Sequence, residues 1–60
     1  MKRVILADVE VGTIVRLRGE WGVVCKAGRG SVKTPRRKRV VDFWWGGREY
    51  VSDIAVVEVL

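Results

Sequence analysis

An all-β fold of five or six short strands is what this sequence predicts, on three observations. Valine is abundant while alanine and leucine are sparse, a bias toward side chains that pack well on a pleated surface. The run Thr13 to Arg18 (TIVRLR) alternates apolar Val15 and Leu17 with Arg16 and Arg18, the period of two that marks a half-buried strand. Two glycine-bearing dipeptides, Gly19-Glu20 and Gly46-Gly47, fall between strand-like runs, where hairpin turns belong. No long helical pattern, internal repeat or linker appears, so residues 1–60 read as one small domain. Short strands joined by tight turns favour a barrel, because closure removes exposed edges.

Taken in order, Lys2 to Leu6 is a short apolar run suited to an edge or closing strand. Ala7 to Glu10 leads to a turn at Val11-Gly12, and Thr13 to Arg18 forms the next strand. Gly19-Glu20 suits a two-residue type II′ turn, glycine first, and Trp21 to Ala27 returns. That register sets Arg18 opposite Trp21, Arg16 opposite Val23 and Val15 opposite Val24. Val15, Leu17, Gly22 and Val24 then face the core, and Arg16, Arg18, Trp21, Val23 and Cys25 face outward, an indole beside two guanidinium groups. Arg39 to Trp45 is the third strand of this set, turning at Gly46-Gly47 into Arg48 to Val51. A type I′ turn there pairs Trp45 with Arg48, Trp44 with Glu49 and Phe43 with Tyr50. Val41, Phe43, Trp45 and Tyr50 become core, leaving Trp44 as the exposed tryptophan. Ser52-Asp53-Ile54 reads as a short 3-10 turn that Ser52 can cap, before a last strand from Ala55 to Leu60.

A domain of 60 residues buries only about 60% of its unfolded surface. An enclosed active site would compete directly with its stability. The single cysteine, Cys25, allows no internal disulfide, which suits a reducing compartment. Met1-Lys2-Arg3 precedes an apolar run that stops at Asp8, too short for a signal-peptide core of about 7–15 residues. No stretch approaches the ~20 apolar residues of a membrane span. The expectation is a soluble, cytoplasmic protein without a membrane partner, a monomer or weak dimer.

The net charge of +5 has one source. Residues 26–39 (KAGRGSVKTPRRKR) carry seven bases and no acid: Lys26, Arg29, Lys33, Arg36, Arg37, Lys38 and Arg39. The chain before them carries +1 and the chain after them −3. Gly28, Gly30 and Pro35 interrupt regular structure there, so the stretch reads as a basic loop fraying into a strand. Such a local excess attracts polyanions and speeds their encounter.

Several chemistries lack their residues. There is no histidine, hence no Ser-His-Asp or Cys-His nucleophile arrangement, and one cysteine alone builds no zinc site. Gly28-Arg29-Gly30 matches neither phosphate-binding glycine motif. Asp42 and Glu49 come close in the expected hairpin, a pair that reads as solvated surface. Cys25 reads as a small apolar side chain on a strand. Neither enzymatic activity nor a cofactor is expected.

The succession of strand, Gly19-Glu20 turn, strand, long loop, strand, Gly46-Gly47 turn, strand, Ser52-Asp53-Ile54 turn and final strand resembles an SH3-like small barrel. The pieces VGTIVRLRGEWGVV and GGREYVSDIAVVEVL are similar to those of KOW, Tudor-like and virus-encoded small barrels. In size, charge and barrel type the chain is also similar to the archaeal seven-kilodalton chromatin proteins, in which a sheet face of basic, aromatic and apolar residues lies on the DNA minor groove. Here only Arg16, Arg18, Trp21, Val23 and Trp44 could play that part, and no residue is carried over as homologous; the long basic loop departs from that plan.

Two functions follow as expectations. The first is a non-enzymatic nucleic-acid-binding module, DNA rather than RNA, with little sequence preference and nucleoid-associated in that case. Lys26, Arg29, Lys33, Arg36, Arg37, Lys38 and Arg39 would meet phosphates, with Arg16, Arg18, Trp21 and Trp44 as a second patch. The second is a virus-encoded type of protein-interaction adaptor, docking an acidic partner through Trp21 and Trp44 or a strand edge. The run PRRKR also fits a nuclear localisation signal.

Overall fold

The structure, a computed structural model, describes residues 1–26 and 36–60. Arg29 and Lys33 of the basic stretch lie outside the described residues. Six strands make the all-β fold: β1 (Lys2–Ile5), β2 (Ile14–Leu17), β3 (Glu20–Cys25), β4 (Lys38–Phe43), β5 (Arg48–Ser52) and β6 (Val56–Val59). They form one antiparallel sheet in the order β1-β6-β2-β3-β4-β5. The two outer strands, β1 and β5, do not pair with each other, so the sheet does not close into the barrel expected from its short strands and tight turns, and both edges stay open.

One face of the sheet holds the core. Val15, Leu17, Val24, Val41, Phe43, Val51 and Val57 are buried together, and Leu6 and Val9 fill the open end of the cluster. A 3-10 turn, Leu6–Asp8, carries Leu6 in. It is held by bonds from the Leu6 and Ala7 amides to the carbonyls of Ala55 and Asp53, at 2.9 and 2.8 Å. Gly22 is buried between β3 and β4 because a side chain would not fit: a Cβ there would stand 2.8 Å from Val41 Cγ1 and 2.9 Å from the Asp42 carbonyl oxygen.

The turns correct the expected registers. Between β2 and β3 the two loop residues are Arg18 and Gly19, with φ of 51° and 79°. This is a type I′ geometry one residue earlier than Gly19-Glu20. Arg16 therefore pairs with Trp21 and Val15 with Gly22. Both strands slip together, so the strand side chains keep their expected faces, and Val15, Leu17, Gly22 and Val24 are core as expected. Arg18, expected on the outer face beside Trp21, sits instead in the turn and bonds Glu49.

The second hairpin differs more. Its loop is Trp44-Trp45-Gly46, closed by the Gly46 amide on the Phe43 carbonyl at 2.9 Å and the Phe43 amide on the Gly47 carbonyl at 2.7 Å. Gly46 alone of the two glycines has positive φ, at 92°, which fits a three-residue loop ending in a left-handed residue. Asp42 now pairs with Arg48, Val41 with Glu49 and Val40 with Tyr50. This shift is odd, so β5 turns its other face inward. Tyr50, expected in the core, is exposed, and Val51 is buried in its place. Trp45, also expected in the core, is 57% exposed. It stacks on Phe43, with ring centroids 5.7 Å apart and planes 4° from parallel.

The turn before β6 is a single hydrogen-bonded β-turn, the Ala55 amide on the Ser52 carbonyl at 3.0 Å. The expected 3-10 turn is absent there. Among the described residues the one 3-10 segment is Leu6–Asp8.

Candidate functional site

The basic residues divide into two groups according to what their side chains touch. Lys26 follows β3, and Arg36, Arg37 and Lys38 lead into β4; all four are exposed. Pairing of Cys25 with Val40 brings these two chain segments to the same end of the sheet. Arg37 adopts φ 59° while its carbonyl accepts the Asp53 amide at 2.9 Å, so the backbone is anchored and the side chain stands in solvent. None of the four cations makes an ion pair with another described residue.

Four other arginines, Arg16, Arg18, Arg39 and Arg48, are engaged within the fold, whereas Lys2 and Arg3 on β1 are exposed. Arg39, expected to grip phosphate, turns to the inner side of β4. Its Nη1 donates to the carbonyl of Leu6 at 2.9 Å and to that of Val9. It thereby adds a charged donor to the Leu6 carbonyl, which also accepts the Val9 amide at 3.1 Å, and serves the carbonyl of Val9 just past the 3-10 segment. Arg18 Nη2 donates to Glu49 Oε2 at 2.6 Å across the open end of the sheet. Arg16 lies opposite Trp21 with its Nε 3.7 Å from Glu58 Oε1, an ion contact too long for a hydrogen bond. Arg48 forms a two-pronged pair with Asp42, Nε to Oδ1 at 2.6 Å and Nη2 to Oδ2 at 3.0 Å. That bonding holds the guanidinium even more firmly protonated than usual. Glu49 and Asp42 serve different arginines on opposite faces, so the carboxylate pair expected from the hairpin is not assembled.

On the outer face of β2, β3 and β4, Ile14, Trp21, Val23, Asp42 and Trp44 line an apolar groove of about 330 Å³. Ile14, Val23 and Asp42 lie in one row across the three strands. The Trp44 amide donates to the Trp21 carbonyl at 3.0 Å, carrying the ladder past Phe43 and bringing the two tryptophans side by side. Trp44 is 74% exposed, yet its indole is not loose. Its Nε1 donates to Glu20 Oε2 at 2.9 Å, and the Nε1 of Trp45 donates to the same oxygen at 3.0 Å. The two rings differ in what they offer. Trp45 spends one face on Phe43 and covers Gly47, where a Cβ would stand 1.9 Å from its ring. Trp44 is the more exposed of the two.

Between the groove and the basic end lies Cys25. Its thiol donates to Asp42 Oδ2 at 3.0 Å. Burial first, and then the hydrogen bond and negative charge of Asp42, push its pKa up, so the thiol stays neutral. Among the described residues no cluster of three or more acidic, cysteine or histidine side chains could hold a metal ion, and no helix is long and apolar enough to cross a membrane.

Sequence reasoning placed Trp21, Trp44 and Arg16 on the outer face, where they are found. It missed Ile14 and Glu20. Ile14 was legible, because it falls on the Arg16 side of the TIVRLR alternation and so had to be exposed. Glu20 was not, because its role depends on a turn one residue earlier than the glycine suggests. No protein-family model matches this chain, and no curated protein or solved structure matches it with significance.

Proposed function

We propose that this protein is a non-enzymatic nucleic-acid-binding module on an SH3-like small barrel, recognising DNA in preference to RNA with little sequence selectivity. The observation that carries the reading is the cluster of Lys26, Arg36, Arg37 and Lys38, four exposed cations at one end of the sheet without an acidic partner among the described residues. Cations already satisfied by carboxylates gain little from phosphate, whereas unpaired ones displace its counterions. Arg29 and Lys33, in the same stretch of sequence, add to the charge. The succession of six antiparallel strands and tight turns among the described residues supports the barrel reading.

A competing reading, favoured by the exposure of Trp44 beside an apolar groove, is a protein-docking adaptor. Salt titration of binding to a nucleic acid separates the two. Four phosphate contacts give a slope of log K against log salt of about −3.6 on duplex DNA and about −2.8 on a single strand. An adaptor would show no such binding to either oligonucleotide.

A further inference from the structure

We infer that the occupant of the Trp44 groove is an unstacked nucleobase, and hence that the preferred ligand is single-stranded nucleic acid. This rests on the nucleic-acid reading above and goes further, because exposed cations alone would serve a duplex equally well.

Three observations lead there. First, Trp44 presents indole surface at 74% exposure while its Nε1–H is bound to Glu20. The polar edge of the ring is therefore already satisfied, and what remains to offer is its π-face. A base inside a duplex has both faces covered by its neighbours, so only an unstacked base can use that surface. Second, the groove beside it is apolar and about 330 Å³, a volume for a flat ring and far too small for a double helix. Its one charged lining residue is Asp42, whose carboxylate is already bonded by Arg48. Of the arginines nearest the groove, Arg16 faces Glu58 and Arg18 faces Glu49, while exposed Arg3 stands two strands beyond Arg16 in the same cross-strand row. This end accepts a base.

Third, the two halves of the surface are joined along one strand. Phosphate-binding cations stand where β4 begins, at Lys38, and the stacking platform stands just past its end, at Trp44. Six residues of extended chain separate them, about 20 Å at roughly 3.3 Å per residue. That span matches about six nucleotides at the ~3.4 Å spacing of a stacked strand, and fewer if the strand is stretched. Between them the outer face carries the half-buried Cys25 and Val23 and the Asp42–Arg48 pair, whose charges are met by each other. The backbone would be held at the basic end and a base at the tryptophan end, a division that is tolerant of sequence because every base has a π-face.

The test is fluorescence anisotropy at 50 mM salt with labelled ten-nucleotide oligothymidylate and with a duplex of the same length, on the wild-type chain, Trp44→Ala and Trp44→Phe. The expected result is tighter binding of the single strand by the wild type. Trp44→Ala should lose roughly 5- to 150-fold on the single strand and stay unchanged on the duplex, and Trp44→Phe should recover most of the loss. Because Trp44 is largely exposed, the alanine variant is expected to fold, which its melting curve checks. Equal or tighter binding of the duplex, with Trp44→Ala indifferent on both, would overturn the inference and leave the nucleic-acid reading standing. Loss on the duplex as large as on the single strand would make Trp44 a wedge between stacked bases and also overturn it. No binding of either oligonucleotide would overturn both readings.

Discussion

Arg39 Nη1 donates to the carbonyl oxygen of Leu6 at 2.9 Å, joining the most basic stretch of the chain to the 3-10 segment at the far side of the core. The same nitrogen reaches the Val9 carbonyl. A side chain that sequence alone assigns to phosphate therefore holds the fold together. The basic stretch changes role at its last residue: Lys38 belongs to solvent and Arg39 to the core.

Replacing Arg39 by Met leaves two backbone carbonyls short of a charged donor. The expected loss is about 1.5–3 kcal/mol, a fall in Tm of roughly 6–24 °C for a domain of this size. Arg39→Lys should recover part of it, because one ammonium can serve both oxygens. Lys38→Met, one residue earlier and exposed, should stay within about 0.5 kcal/mol. Thermal melts of the three variants check the contrast, and equal melts for Arg39→Met and Lys38→Met would contradict it.

Arg37 separates binding from stability. Its φ of 59° is a left-handed conformation that costs a side-chain-bearing residue about 1–2 kcal/mol and costs glycine little. Part of that relief is offset by the greater freedom of glycine in the unfolded chain. Arg37→Gly should therefore leave Tm unchanged or raise it by a few degrees while weakening oligonucleotide binding. A variant that lost stability and binding together would place Arg37 in the packing.

Gly22→Ala should be among the most damaging single changes. The added methyl meets the Asp42 carbonyl oxygen at 2.9 Å as well as Val41 Cγ1 at 2.8 Å, and the backbone oxygen cannot turn away as a side chain could. Separating β3 from β4 to admit it is expected to cost at least about 2 kcal/mol, read as a lower midpoint in urea.

The Cys25 thiol gives the fold a slope at high pH. Burial and Asp42 raise its pKa in the folded state above the ordinary value of 9.0, so the unfolded chain loses that proton first. The stability tied to the neutral thiol is complete below pH 9.0 and is lost as pH climbs through the raised value. Urea midpoints at pH 7.5 and pH 10 should fall further for the wild type than for Cys25→Ala. Parallel falls would contradict the assignment.

Much of this molecule could be read from its residues, and the exceptions have a common cause. The alternation in TIVRLR put Val15 and Leu17 inside and Arg16 outside, and the structure agrees. A turn misplaced by one residue left that intact, because both strands moved together. The Gly46-Gly47 hairpin was less forgiving. Two adjacent glycines suggest a shared need for positive φ, yet only Gly46 has it. Gly47 is small for another reason, the Trp45 ring lying against it. The three-residue loop closed by the Phe43 amide on the Gly47 carbonyl sets the odd register that exposes Tyr50 and buries Val51. The groove was half legible for the same reason: periodicity gives the faces of Trp21 and Trp44, whereas their shared neighbourhood with Glu20 depends on turn geometry that composition does not encode.

The measurement that bears most directly on the central reading is a salt titration of oligothymidylate binding by the variant Lys26→Gln/Arg36→Gln/Arg37→Gln/Lys38→Gln, set beside the wild type. All four side chains are exposed and none pairs with a described acid, so the melting temperature should hold to within a few degrees. Affinity at low salt should collapse, and the slope of log K against log salt should become shallower by about 2.8 on a single strand. Binding of undiminished strength and unchanged slope would mean that these cations do not meet phosphate, and the proposed function would be wrong.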